Sequence, residues 1–210
     1  MKKIYFVRHG ESEGNANRTH QSANTPLSQI GRSQAEILAH RFKSIQIDAL
    51  LSSPYQRAHE TARAIAEIKN IQVETNPLLS EKRGPECLIG MSHHSQQSQE
   101  FKSATKAHFL DDGGKWRQFD EETAFEFANR AGDVLSWLSQ REEESVAVVA
   151  HSLLLHMIMT TIIHPDGDLT SKYQIYENFV IHNTSISVAE YNSDSQKWRL
   201  VCLNDHAHLG

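Results

Sequence analysis

Val146-Ala147-Val148-Val149-Ala150-His151-Ser152-Leu153-Leu154-Leu155, continuing without a formal charge to Ile163, is the stretch on which the fold turns. Two readings compete for it. A membrane span needs about 20 predominantly apolar residues. This run approaches that length, but His151, Ser152, His156, Thr160 and Thr161 interrupt it. The other reading follows from residue type. Val146 to Ala150 is β-branched or small, which suits a strand buried on both faces. Leu153-Leu154-Leu155 then changes to helix formers. A buried strand feeding a buried helix accounts for the whole run, and His164-Pro165 closes the helix.

The same alternation continues outward. Lys3 to Val7 predicts a short buried strand, cut off by Arg8-His9-Gly10-Glu11-Ser12. After Pro26-Leu27-Ser28, helical spacing joins Ile30, Ala35, Leu38, Ala39 and Phe42. Ala49-Leu50-Leu51 predicts a second strand. Ser53-Pro54 predicts a helix start, Ser as N-cap and Pro at N1, with the helix running through Ala58, Ala62 and Ile65 toward Asn70. Ile71-Gln72-Val73 predicts a third strand. From Asn76 to Asp120 the pattern is weak, with one short helix around Phe101, Phe109 and Leu110; this region is expected to be an excursion over the core, a lid. Asp120 to Arg141 predicts the longest amphipathic helix, with Phe125, Phe127 and Trp137 as core candidates. Phe179-Val180-Ile181, Ile186 to Ala189 and Trp198 to Val201 predict closing strands. Strands alternating with helices imply an α/β fold, a sheet with helices on both faces, in one domain over residues 1–210.

Composition excludes several classes. The 210 residues suffice for a full core. Lys plus Arg is 21 against Asp plus Glu 26, so no basic footprint for nucleic acid exists. Cys87 and Cys202 cannot make a disulfide framework or a four-cysteine zinc site. Only four apolar residues, Ile4 to Val7, follow Met1-Lys2-Lys3, too few for a secretory signal. The expectation is a soluble cytoplasmic protein with no membrane partner; the oligomeric state is left open. The 13 histidines stand out. His93-His94 and His206-x-His208 lack the accompanying pattern of a zinc site, so no metal or other cofactor is expected.

In an open α/β sheet, ligands bind beyond the carboxyl ends of the strands. Three of those ends carry charged or imidazole groups. One reads Arg8-His9-Gly10-Glu11, one leads through Ser52-Ser53-Pro54 to Arg57, and one ends in His151-Ser152. If the strands are neighbours, two arginines and two histidines converge. A local cationic pocket in a chain of net charge −5 suits a small, doubly charged anion. Arginine presents a planar fork that matches phosphate oxygens. Arg57 falls in the first turn of its helix, where unpaired N–H groups already favour an anion. Gly10 is expected to let backbone approach a ligand closely. A neutral imidazole beside such a site can attack phosphorus. A second imidazole beside bound phosphate is expected to be protonated.

Arg8-His9-Gly10-Glu11-Ser12 with Asn15, the run Ser52 to Ala62, and Val148 to Ser152 together resemble the histidine phosphatase superfamily, the phosphoglycerate-mutase-like fold. Thr25-Pro26-Leu27-Ser28, with Gly31 and Gln34-Ala35, and the tail Leu203 to Leu209 extend the resemblance from residue 4 to 209. It implies a three-layer α/β/α fold with a mostly parallel central sheet. It implies His9 as nucleophile, Arg8, Arg57 and His151 as the phosphate pocket, and Asn15 as a further polar contact. Ser152, beside His151, is taken as a substrate contact. The family needs an acid for the leaving oxygen, and Leu79-Ser80-Glu81 places Glu81 there, with Glu86 as the alternative. The family's aromatic-Gly and Trp-Glu-Gly elements are replaced by Lys82 to Gly90, so substrate specificity does not carry over. The expected activity is metal-independent hydrolysis of a small phosphomonoester through phosphohistidine. The alternatives are a mutase of the phosphoglycerate type, which needs a second anion site, for which Lys82-Arg83 and Lys115/Arg117 are the only candidates, and a non-catalytic phospholigand-binding protein.

Overall fold

The computed structural model describes residues 1–210. In chain order its elements are β1 (Lys2–Arg8), α1 (Glu13–Asn17), α2 (Gln29–Phe42), β2 (Ala49–Ser52), α3 (Gln56–Lys69), β3 (Val73–Thr75), α4 (Gln96–His108), α5 (Asp111–Gly114), α6 (Ala124–Gln140), β4 (Ser145–Ala150), α7 (Ser152–Ile163), α8 (Leu169–Tyr176), β5 (Ile186–Asn192) and β6 (Lys197–Asp205). Single 3-10 turns at Pro77–Leu79, Glu86–Leu88 and Ala207–Leu209 complete the chain. The strands form one sheet in the order β3-β2-β4-β1-β5-β6. β3, β2, β4 and β1 pair in parallel, and β5 and β6 are added antiparallel.

Side-chain alternation along β4 explains the layers. Val146, Val148 and Ala150 join a core with Ile4, Phe6, Phe127, Leu138, Leu154 and Ile158, so α6 and α7 cover that face. Ala147 and Val149 join the opposite core with Val7, Leu38, Phe42, Ala58 and Ile65, so α2 and α3 cover the other. A strand sandwiched this way has no solvent face, and its residues are fully buried from Val146 to Ala150. No helix is long and apolar enough to cross a membrane.

Parallel register fixes where the chemistry sits. Arg8 pairs with Ala150 and Ser52 with Val149, so β1, β4 and β2 end side by side. His9, His151 and Ser53 are the first residues beyond those ends. The expected convergence of the three strand ends is therefore a matter of register.

Several expectations need correction. Phe179 to Ile181 is not a strand: Phe179 stacks on His156, and the Ile181 carbonyl is taken by Arg8. Ser53 is not the N-cap of α3. Tyr55 holds that position, and the Ser53 hydroxyl accepts from the Tyr55 N–H and meets His151 instead. Phe125 is 42% exposed rather than core, because α6 turns Phe127 inward. The 76–120 region carries a full helix, α4, capped by Ser95. α1 and α8 lie where no helix is expected from the sequence.

Candidate active site

His9 is buried, and its ring is held by one backbone group. Nδ1 lies 2.6 Å from the Gly10 carbonyl, which requires a proton on Nδ1. Nε2 then carries the lone pair, and the Arg57 Nε–H donates to it at 3.3 Å. Burial and the positive charges of Arg57 and Arg8 push His9 well below the usual histidine value, so the ring is neutral. Gly10 has a different reason from the expected one. Its N–H donates to the Thr61 hydroxyl, and a Cβ would meet the Gly31 carbonyl at 2.5 Å. Its missing side chain admits α2, not a ligand.

Arg57 stands in the first turn of α3 and is 3% exposed. Besides His9 it donates to the Ser22 carbonyl at 3.0 Å and lies 5.2 Å from the centre of the Tyr55 ring. Arg8 donates to the Ile181 carbonyl at 2.6 Å, while its buried Nε has no protein partner. Burial lowers both guanidinium groups, and the Glu81 carboxylate opposes that shift. His151 is fully buried, its ring centre 5.1 Å from that of His9 and its Nε2 2.8 Å from the Ser53 hydroxyl. Its Nδ1 has no partner. Burial first, then Arg57 and His9, push it well below the usual value. This corrects the expectation of a protonated second imidazole: without an anion to offset the two arginines, His151 is neutral.

Glu81 reaches the start of α7. Its Oε1 accepts from the N–H groups of Lys82 (2.9 Å) and Leu154 (3.1 Å), and Oε2 accepts from that of Leu153 (3.1 Å). A helix N-terminus is a natural seat for a carboxylate. Asn15 forms a capping box with Ser12, whose N–H donates to Asn15 Oδ1 at 3.2 Å. Ser152 opens α7, its hydroxyl 3.5 Å from His156 Nδ1.

Arg8, His9, Asn15, Arg57, Glu81 and Ser152 line one cavity of about 600 Å³; Glu86 also borders it, and His151 lies outside the lining, against His9. Glu81 alone of the two acids acts electrostatically on Arg8 and Arg57. On the far side the cavity is bounded by Phe101, Phe109 and Trp116 from the 76–120 region. Tyr55, His20 and His93 border the site although nothing in their sequence context distinguishes them. His20 and His93 pack edge to face, 4.6 Å between ring centres. No set of three or more His, Cys, Asp or Glu side chains is gathered as a metal ligand group.

The family model of the histidine phosphatase superfamily (branch 1) matches residues 4–206. The chain belongs to that superfamily. Among histidine phosphatases and their relatives it is 27% identical to phosphoserine phosphatase 1 of Hydrogenobacter thermophilus, over the whole of this chain and 95% of that one. It is 28% identical to a Proteus mirabilis protein named probable phosphoglycerate mutase GpmB, over 100% of this chain and 95% of that one. Its fold matches Bacillus stearothermophilus YhfR with a TM-score of 0.81 at 22% identity, each chain covered completely. A three-layer histidine phosphatase fold with a mostly parallel sheet is thus established for this chain, and its relatives carry the names of phosphatases and mutases.

Proposed function

We propose that this histidine phosphatase is a metal-independent phosphomonoesterase working through a phosphohistidine on His9. One observation carries the reading: the Gly10 carbonyl fixes the proton on Nδ1 and burial keeps the ring neutral, so the Nε2 lone pair faces the two arginines. In the first step Nε2 bonds to phosphorus, the P–O bond to the alcohol breaks, and the leaving oxygen takes a proton from Glu81. In the second, water attacks phosphorus, Glu81 accepts its proton, and the P–N bond breaks to restore His9. Arg8 and Arg57 hold the equatorial oxygens, with Asn15 and Ser152 as further polar contacts. The dianion offsets the arginine charges, so His151 gains a proton when phosphate binds.

The substrate is a small phosphorylated metabolite with room for its alcohol beneath the aromatic wall. Cys87 and Cys202 are both free, as in a reducing cytoplasm. A mutase needs a second anion site, and two of the four candidate cations are already engaged. Arg117 pairs with Glu126, and Lys115 lies over Phe125.

The test is release of p-nitrophenolate from p-nitrophenyl phosphate in the presence of EDTA. Turnover that survives chelation and vanishes in His9→Ala is expected. A strict metal requirement overturns the mechanism. Absence of turnover with every phosphomonoester tried, beside intact phosphate binding, makes the protein a phospholigand binder.

A further inference from the structure

Arg130, on α6, does not line the cavity, yet its guanidinium organises the segment that delivers Glu81. Its Nη1 donates to the carbonyls of Leu78 (2.8 Å) and Ser80 (2.7 Å), and its Nη2 reaches that of Glu81 at 3.5 Å. Nε and Nη2 are also held by the two oxygens of Glu122, at 2.8 and 2.7 Å. Both partners are largely buried, at 17% and 12% side-chain exposure. Glu122 in turn accepts from the Arg83 N–H at 3.2 Å, just beyond Glu81.

Consider what this does to residues 78–83. The segment leaves a 3-10 turn and has no sheet or helix to take its carbonyls. One planar fork binds three of them, while Glu122 fixes both the fork and the far end of the segment. Glu81 is thereby clamped from two sides: its backbone by Arg130, its carboxylate by the first turn of α7. α7 starts directly after His151, so acid and phosphate pocket share one frame. Lysine cannot reproduce the arrangement, because a single ammonium offers neither the fork nor the reach to five acceptors.

We propose that Arg130, locked by Glu122, is a positioning residue that sets the aim of Glu81 at the leaving oxygen. The proposal rests on Glu81 being the acid, and the experiment separates the two. p-Nitrophenolate leaves without a proton, whereas an alkyl oxygen needs one. The value of kcat/KM reports the steps up to departure of the alcohol. It is measured for p-nitrophenyl phosphate and for β-glycerophosphate in the parent, Glu81→Gln, Arg130→Lys, Glu122→Gln and the double variant Glu81→Gln/Arg130→Lys. Loss of a general acid costs about 10²- to 10⁴-fold. Glu81→Gln is expected to lose about a hundredfold or more on the alkyl ester and about tenfold or less on the aryl one. Arg130→Lys, and more weakly Glu122→Gln, should show the same split, with thermal midpoints recorded to confirm folding. The double variant should resemble Glu81→Gln alone, because residues acting through one another are not additive. Equal losses on both esters in Arg130→Lys and Glu122→Gln, no loss in either, or full additivity in the double variant overturns the proposal while leaving the acid intact. A Glu81→Gln variant without the split overturns the acid, and the positioning role falls with it.

Discussion

Arg57 combines three duties in one side chain. It donates to His9, ties down the Ser22 carbonyl and stacks on Tyr55. Charge alone does not account for them. Arg57→Lys retains the charge and loses the fork, so kcat/KM for p-nitrophenyl phosphate should fall about 10- to 100-fold, the loss of one or two charge-assisted hydrogen bonds. An unchanged value in steady-state kinetics would place Arg57 outside the phosphate pocket. At this scale the sequence is legible where a functional residue directly follows a strand, as His9 and His151 do, or opens a helix, as Arg57 does. Tyr55, His20 and Arg130 were not legible. Their partners lie in other elements, and nothing in the neighbouring residues encodes which surface they meet.

The loop after β1 and the start of α2 meet without side chains between them. A Cβ on Gly31 would stand 1.9 Å from the Glu11 carbonyl oxygen, and backbone cannot give way as a flexible side chain can. Gly31→Ala should therefore lower stability by about 1–3 kcal/mol, the usual cost of overpacking. It should also reduce kcat, because Glu11 lies two residues from His9. Urea denaturation with parallel assays checks both, and a variant as stable and active as the parent refutes the contact. Among the elements, periodicity revealed α2, α3, α6 and the four parallel strands, whose burial is set by their own composition. It failed at Phe179 to Ile181, where an apolar run packs on His156 of α7 instead of pairing with a strand. It failed also at α4, whose sole buried residue is Ser98, so no apolar stripe announces it.

A net charge of −5 conceals a core that repels protons. His9 and His151 are held neutral in the folded chain and regain ordinary titration on unfolding. Below about pH 6.5 the unfolded chain binds two protons that the folded chain refuses, so stability decreases as pH falls. Each site contributes a slope of up to about 1.4 kcal/mol per pH unit until its folded-state value is reached. Urea midpoints between pH 5 and 7 should show this decline, and His151→Gln should flatten it. Saturating phosphate should flatten it too, by charging His151 in the folded state. A parent slope indistinguishable from that of His151→Gln would refute the neutral imidazole.

The strand order also has a consequence in time. β4 lies between β2 and β1, yet it is made last of the parallel four. A growing chain that has reached residue 144 holds β1 and β2 with no strand between them, two exposed edges that cannot yet meet. Residues 145–150 are therefore the keystone of the sheet. Their arrival closes the sheet, and the next residue, His151, brings the second imidazole beside the first. The phosphate pocket is thus assembled late in synthesis, from contacts more than a hundred residues apart, and a shortened chain lacking β4 has half of it.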